Sequence, residues 1–319
     1  MSEIEEKLRS IVKNLLKDKK VDVVIGYENA TLPLRTRPCL ISEVEDADRL
    51  VWNSACSSNL AKYLPYLDKN IKIGVVSKGC VGRTIIHLSQ EKQIDRNNII
   101  IIAIPCSGIV DRRKIESELL NTEILDYKET KEKLILKIDG SVKEFQKSDY
   151  YNNMCVVCKY RTPPIYDVLV DEISQNASIG DYDKLNEIEN MTYNERWEYF
   201  TKLLDKCIRC YSCREACPMC YCDLCFVDQS QPTWFDKTPD ISEIIIFHLI
   251  RAMHLAGRCV GCGDCSNACP MGIDLTIINQ KLEKIVKDRF DFIAGVDLDT
   301  PLPLATYKFD DKEDYMIKE

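Results

Sequence analysis

The chain has 319 residues, a formal net charge of −8, a pI near 5.2 and seventeen cysteines. An acidic chain without Lys/Arg blocks makes a poor nucleic-acid ligand. The opening "MSEIEEKLRS" lacks the apolar core of a secretory signal, and the apolar stretch "ISEIIIFHLIRAMHLAG" is interrupted by Ser242, Glu243, His248, Arg251 and His254, so a cytoplasmic protein without a membrane span is expected. In a reducing compartment, so many cysteines in a chain this long argue for metal ligation and against a disulfide framework.

In chain order, "IEEKLRSIVKNLLK" carries Ile4, Leu8, Ile11, Val12, Leu15 and Leu16 at helical spacing. "VDVVIGY" reads as a strand and "NSACSSNLAKYLPYL" as a capped helix. "KIGVVS" is a strand ending in "KGCVGR", with helical "TIIHLSQEKQI" behind it. "NNIIIIAIPCSG" is a β-branched run ending in a turn, the pattern of a central parallel strand. "DRRKIESELL" is helical, and "KLILKIDGSVKEF" alternates around Asp139-Gly140 as a hairpin does. Residues 1–175 therefore read as an α/β domain with a mostly parallel sheet.

Residues 176–193 are polar and read as a linker. Residues 194–292 are α-helical: "ERWEYFTKLLDK", a helix capped by Ser242 and ended by Gly257, and "DLTIINQKLEKIVKDRF". Residues 293–319 form an extended C-terminal tail. Trp234 is expected as a packing anchor. His87, His248 and His254 fall in predicted helices as packed or surface residues, and no nucleophile–base constellation stands out.

Cys207, Cys210, Cys213 and Cys217-Pro218 follow the CxxCxxCxxxCP spacing, which Cys259, Cys262, Cys265 and Cys269-Pro270 repeat. Three closely spaced thiolates wrap one 4Fe-4S cube, and the fourth ligates the other cube. Hence Cys207, Cys210, Cys213 and Cys269 are expected at one cluster, and Cys259, Cys262, Cys265 and Cys217 at a second. Gly261, Gly263 and Ser212 suit a backbone that aims N–H groups at sulfur. Tetrahedral zinc explains CxxC pairs but not this duplication. The 41 residues between Cys217 and Cys259 hold a full helix, which resembles the all-helical dicluster ferredoxin domains of succinate dehydrogenase and heterodisulfide reductase subunits.

Cys80 and Cys106 follow predicted strands, at the edge where open α/β sheets bind ligands. With Cys155 and Cys158 they make either four ligands or two buried cysteines beside an unrelated CxxC. Gly79, Gly82 and Arg83 open a helix and are candidates for a flavin phosphate, or the glycines simply present Cys80 to a cluster.

"IPCSG", then "MCVVCKYRTPPIYDVL", resembles elements of the beta subunits of deazaflavin-coenzyme-reducing hydrogenases and formate dehydrogenases. "CPMCYCDLCFVDQSQPTW" and "AGRCVGCGDCSNACPMGIDL" resemble the ferredoxin-fused members of that family. "NSACSSNLAKYL" takes the place of its flavin-domain helix, with Ala55-Cys56 where the family has two glycines. The resemblance implies a third 4Fe-4S cluster on Cys80, Cys106, Cys155 and Cys158. It further implies an electron-transfer subunit of an anaerobic redox complex, partnered by a catalytic oxidoreductase subunit and a second redox subunit or flavoprotein. The alternative it offers is a subunit that binds FAD and reduces a deazaflavin or nicotinamide coenzyme. A zinc-binding interaction module is a third class. Five thiols then remain: Cys39, Cys56, Cys220, Cys222 and Cys225. A further metal site on Cys220, Cys222, Cys225 and Cys56, with Cys39 as the other choice of fourth ligand, is expected from the Cys-x-Cys placement behind Pro218.

Overall fold

The computed structural model describes residues 2–120, 122–171, 183–236 and 238–307. α1 (Glu3–Lys17) begins with a Ser2/Glu5 capping box and buries Leu8, Val12, Leu15 and Leu16, one face at helical spacing. The main sheet has five strands: β1 (Val23–Asn29), β2 (Thr36–Ile41), β3 (Ile73–Ser77), β4 (Ile99–Ala103) and β8 (Val168–Leu169), in the order β2-β1-β3-β4-β8. β2 pairs antiparallel with β1; the other pairings are parallel. Every residue of β3 is buried, as a central parallel strand requires. β2 was not anticipated from the sequence: Pro38 interrupts its pattern and is tolerated because β2 is an edge strand.

α2 (Gly79–Gln90) follows β3, and α3 (Arg112–Glu118) follows β4. β5 (Ile124–Glu129), β6 (Lys133–Ile138) and β7 (Ser141–Gln146) form a separate antiparallel sheet. The expected hairpin is its β6–β7 pair, with Gly140 at φ +70° in the turn. The short helix α4 (Asn153–Val156) leads back to β8. The mixed, mostly parallel sheet with its helices is the expected α/β architecture.

Among the described residues six helices follow: α5 (Asp183–Asn190), α6 (Tyr193–Leu204), α7 (Ser212–Glu215), α8 (Ile241–His254), α9 (Asp264–Asn267) and α10 (Thr276–Phe290). The expected linker lies partly outside the described residues; its described part contains α5. Residues 308–319 of the expected tail also lie outside them. Three local expectations change. "NSACSSNLAKYLPYL" is not an α-helix: turns lead to a 3₁₀ segment, Leu60–Tyr66, with Pro65 inside. Asp240, not Ser242, caps α8, accepting from the Ser242 N–H. Trp234 is 65% exposed rather than a packed anchor. Among the described residues no helix is long and apolar enough to cross a membrane.

The helical segment packs on the α/β half through polar side chains. Glu91, after α2, accepts from Tyr221 and Arg258. Arg113 on α3 donates to Ser266 O and Cys269 O at 3.0 and 2.9 Å. Arg83 donates to Val260 O and Ala294 O.

Candidate metal centres

The two C-terminal motifs adopt the same local conformation. Two and four residues after the first cysteine, the chain turns left-handed: Arg209 and Tyr211 (φ 52° and 59°) in the first motif, Gly261 and Gly263 (φ 67° and 79°) in the second. The turn points the Arg209 N–H back at Cys207 Sγ (3.4 Å) and the Gly261 N–H at Cys259 Sγ (3.5 Å). Each motif then enters a one-turn helix, α7 or α9, that carries its third cysteine. Glycine takes this conformation without strain; Arg209 and Tyr211 take it at a cost on the order of 1 kcal/mol each.

The fourth cysteines cross over. Cys207, Cys210, Cys213 and Cys269 line one cavity, walled by Phe247, His248 and Ile273. Cys217 lies instead near Cys259, Cys262 and Cys265, where its negative charge raises all three thiol pKa values.

A third set forms where β3 and β4 end. Ser77 and Ala103 are paired in the parallel register, and Cys80 and Cys106 each lie three residues beyond. Cys155 sits on α4, and Cys158 follows it. Cys106 acts electrostatically on Cys80, Cys155 and Cys158, so the four share one neighbourhood. The loop after Cys158 is held close. Cys106 N–H donates to Arg161 O (3.0 Å), and Arg161 Nη2 donates to Cys155 O (2.6 Å).

Burial, with repulsion from neighbouring acidic groups, favours the protonated form of eight of these thiols. Burial pushes Cys155, Cys213 and Cys259 up to about 12, and it raises Cys80, Cys158, Cys207, Cys262 and Cys265 as well. Such groups give up protons when a cation arrives to offset the charge. Cysteine-only sets of four, some with N–H···S donors, fit iron–sulfur ligation. Among the described residues no three His, Cys, Asp or Glu side chains converge on one point as single-ion ligands do; a four-iron cube spreads its sulfurs more widely.

Charged side chains lie between the sets. Arg251 on α8 is 5% exposed; its guanidinium donates to Cys213 O (2.9 Å), and its charge acts on the Cys265 thiol. His248, three residues earlier, has Nε2 at 3.4 Å from Cys207 Sγ. Burial, together with Arg251 and Arg209, lowers its pKa to about 4, so it is neutral at pH 7. Between the second and third sets lie Lys78 and Asp264. Lys78 donates to Cys56 O and Ser57 O. Burial disfavours its ammonium, but Tyr27, Cys80, Asp264 and Cys106 together raise its pKa. Asp264 Oδ2 accepts from Asn59 N–H (2.6 Å), Oδ1 has no partner, and burial lifts the carboxyl to about 7. The sequence contained Lys78 beside Cys80 and a His248/Arg251 pair at helical spacing, but nothing to show that these residues would face sulfur.

Two sets of expected residues are placed otherwise. The flavin-phosphate candidates are taken up by the protein itself. A Cβ on Gly79 would lie 1.8 Å from Tyr160 O, and one on Gly82 would lie 2.4 Å from Pro163 Cβ. Arg83 stacks on Tyr160 (4.5 Å), besides holding Val260 O and Ala294 O. The glycines serve close approach, and no phosphate cradle is left there. The leftover thiols do not converge either. The Cys220 thiol lies beside Cys217 and lowers its pKa. Cys222 is exposed, and Cys225 lies near Arg214. Cys56 is buried against Val51 O and Asn53, and Cys39 is buried in β2 beside Glu28 and Arg49. Cys220 and its neighbour do meet the α/β half, but through Lys62 donating to Cys220 O (3.2 Å) and Tyr221 donating to Glu91.

No family model matches the sequence. Two curated relatives do. One is the F420-dependent formate dehydrogenase subunit beta of Methanocaldococcus jannaschii, 22% identical over 353 aligned positions and covering 92% of each chain. The other is the F420-dependent formate dehydrogenase 1 subunit beta of Methanococcus maripaludis, 24% identical and covering 93% of this chain and 92% of that one. The chain is similar along nearly its whole length to beta subunits of F420-dependent formate dehydrogenases. A chain of the F420-reducing NiFe hydrogenase complex from Methanosarcina barkeri aligns with 49% of this chain and 62% of its own length, at 16% identity and a TM-score of 0.37.

Proposed function

We propose that the chain is an iron–sulfur electron-transfer subunit of a cytoplasmic redox complex, working beside a catalytic subunit of the formate dehydrogenase or hydrogenase kind. The observation that carries this is the succession of three cysteine-only sets. Arg251 bonds to Cys213 of the first and acts on Cys265 of the second, and Cys80 of the third acts on Cys262 of the second. The bound groups, 4Fe-4S clusters, supply one-electron steps at potentials tuned by hydrogen bonds, charge and burial.

In this reading residues 194–292 are a helical ferredoxin domain, and 1–175 are an α/β domain holding the third set. The second set is the middle one. Cys210 is exposed, which favours the first set as the contact with a redox partner. The chain's own residues insulate the sets and fix their separation: α8 between the first and second, and the Lys78–Asp264–Asn59 cluster between the second and third.

Anaerobic reconstitution should give about twelve irons per chain. About eight would remove the third cluster from the proposal, and zinc without iron would overturn it. Cys269→Ser should disturb the centre of Cys207, Cys210 and Cys213; a change confined to the 259–265 centre would refute the crossed ligation. The relatives' F420-dependent character supports a second reading in which this chain itself carries FAD and reduces a deazaflavin. That reading predicts about one flavin per anaerobically purified chain, and a flavin-free preparation rejects it.

A further inference from the structure

We propose that Arg251 is a positioning residue shared by two redox centres, a single buried cation that holds up the reduction potentials of both the first and the second cysteine sets. This rests on the reading that those sets hold iron–sulfur clusters. Arg251 lies on α8 between the two motifs, and α8 packs in one buried cluster with Cys213 of α7 and Cys265 of α9. Arg251 donates to the carbonyl of Cys213 (2.9 Å), and its charge acts on the Cys265 thiol. Cys213, Cys217, Cys220 and Cys265 all act on its charge. Its Nε has no partner in the protein, a buried donor left open among sulfurs.

An electron added to either centre adds negative charge, and a fixed cation in a buried site favours that reduced state. Because Arg251 bonds to Cys213 and acts electrostatically on Cys217 and Cys265, its charge reaches both sets. His248, one turn earlier on the same helix, reaches only Cys207. The helix thus carries one residue that tunes a single centre and one that tunes two.

The test uses the full-length chain, reconstituted anaerobically, with iron analysis and EPR-monitored redox titration of wild type, Arg251→Met, Arg251→Lys and His248→Phe. Arg251→Met should lower both potentials by at least tenfold in the reduction equilibrium, which is 59 mV for a one-electron couple. Arg251→Lys should shift both less. His248→Phe should lower the first centre alone. Loaded Arg251→Met with neither or only one potential moved overturns the proposal. If Arg251→Met fails to load while Arg251→Lys loads, the need for charge at this position stands. If both fail to load, the role is packing and the proposal falls. A wild-type chain that takes up no iron refutes the functional reading itself, an outcome distinct from all of these.

Discussion

The two halves of the molecule assemble their cysteines in different ways. In the helical half each set draws three cysteines from one contiguous motif, shaped by two left-handed residues and a one-turn helix, and a single cysteine from the other motif. In the α/β half the four cysteines come from the ends of β3 and β4, from α4 and from the loop behind it. They meet only because the sheet register puts Ser77 beside Ala103 and because residues 158–161 fold back against α2. The first arrangement is local and tolerates change in the rest of the fold. The second depends on long-range packing, so a substitution away from any cysteine can dismantle it.

Gly79 is the place to break that difference. A methyl group there would lie 1.8 Å from Tyr160 O, a backbone atom that cannot swing away as a side-chain tip would. Gly79→Ala should therefore displace the Cys158–Arg161 loop, at a cost of roughly 3 kcal/mol or more. Iron should fall from about twelve to about eight per chain, with the EPR signals of the two C-terminal centres intact. Retention of all the iron would mean the third set does not depend on this contact.

The same difference governs what could be read before the fold was seen. The duplicated spacing carries its own geometry, and the placement of Cys269 in the cavity lined by Cys207, Cys210 and Cys213 accords with it. The strand-end cysteines were legible as positions, because a β-branched run ending in "IPCSG" announces a parallel strand and its exit. Their meeting with Cys155 and Cys158 needed the sheet order, which sequence periodicity does not contain. Gly79 and Gly82 illustrate the limit. Glycines that open a helix look the same whether they admit a phosphate or a neighbouring strand of chain. Here Tyr160 and Pro163 fill the space. The leftover thiols failed for a related reason. Counting suggested a four-cysteine site, but counting ignores distance: Cys56 and Cys39 are buried within the α/β half, and Cys220 is already paired with Cys217. Arg251 was legible only as a charge interrupting an apolar helix, and its function depends on what lies beyond the helix surface.

The seam between the halves offers a smaller effect with a defined pH window. Burial alone would raise the Glu91 pKa, but the His87 ring 3.4 Å away and the donors Arg258 and Tyr221 outweigh it and bring the carboxyl down to about 2 from an ordinary 4.5. A depressed carboxyl contributes stability that is present in full above its unfolded pKa and lost as pH falls toward its folded one. Glu91→Gln should therefore destabilise the chain by roughly 2–4 kcal/mol at pH 7, since it leaves Arg258 facing no charge. Wild type and variant should converge as pH falls from about 4.5 to 2. Urea denaturation at pH 7 and pH 3 measures this, and a constant gap across that range would show that Glu91 does not act through its charge.

The smallest effect compares the two motifs with each other. Gly261 and Arg209 are equivalent positions, both left-handed, and both direct an N–H at the first sulfur of their motif. Arg209 sustains the conformation because its guanidinium is anchored to Asp236 O and Thr238 O at 2.5 and 2.7 Å. An alanine at 261 would have no such anchor, and its Cβ would lie 2.7 Å from Met154 Cε, the movable end of a flexible side chain. The expected cost of Gly261→Ala is therefore about 1–2 kcal/mol, mostly backbone strain. It should be seen as a modest drop in melting temperature, with iron content and the second centre's spectrum preserved because the N–H still points at Cys259. Loss of the second centre would show that the two motifs, alike in conformation, are not interchangeable in tolerance: Arg209 would then hold its turn by its anchors, and Gly261 by having no side chain at all.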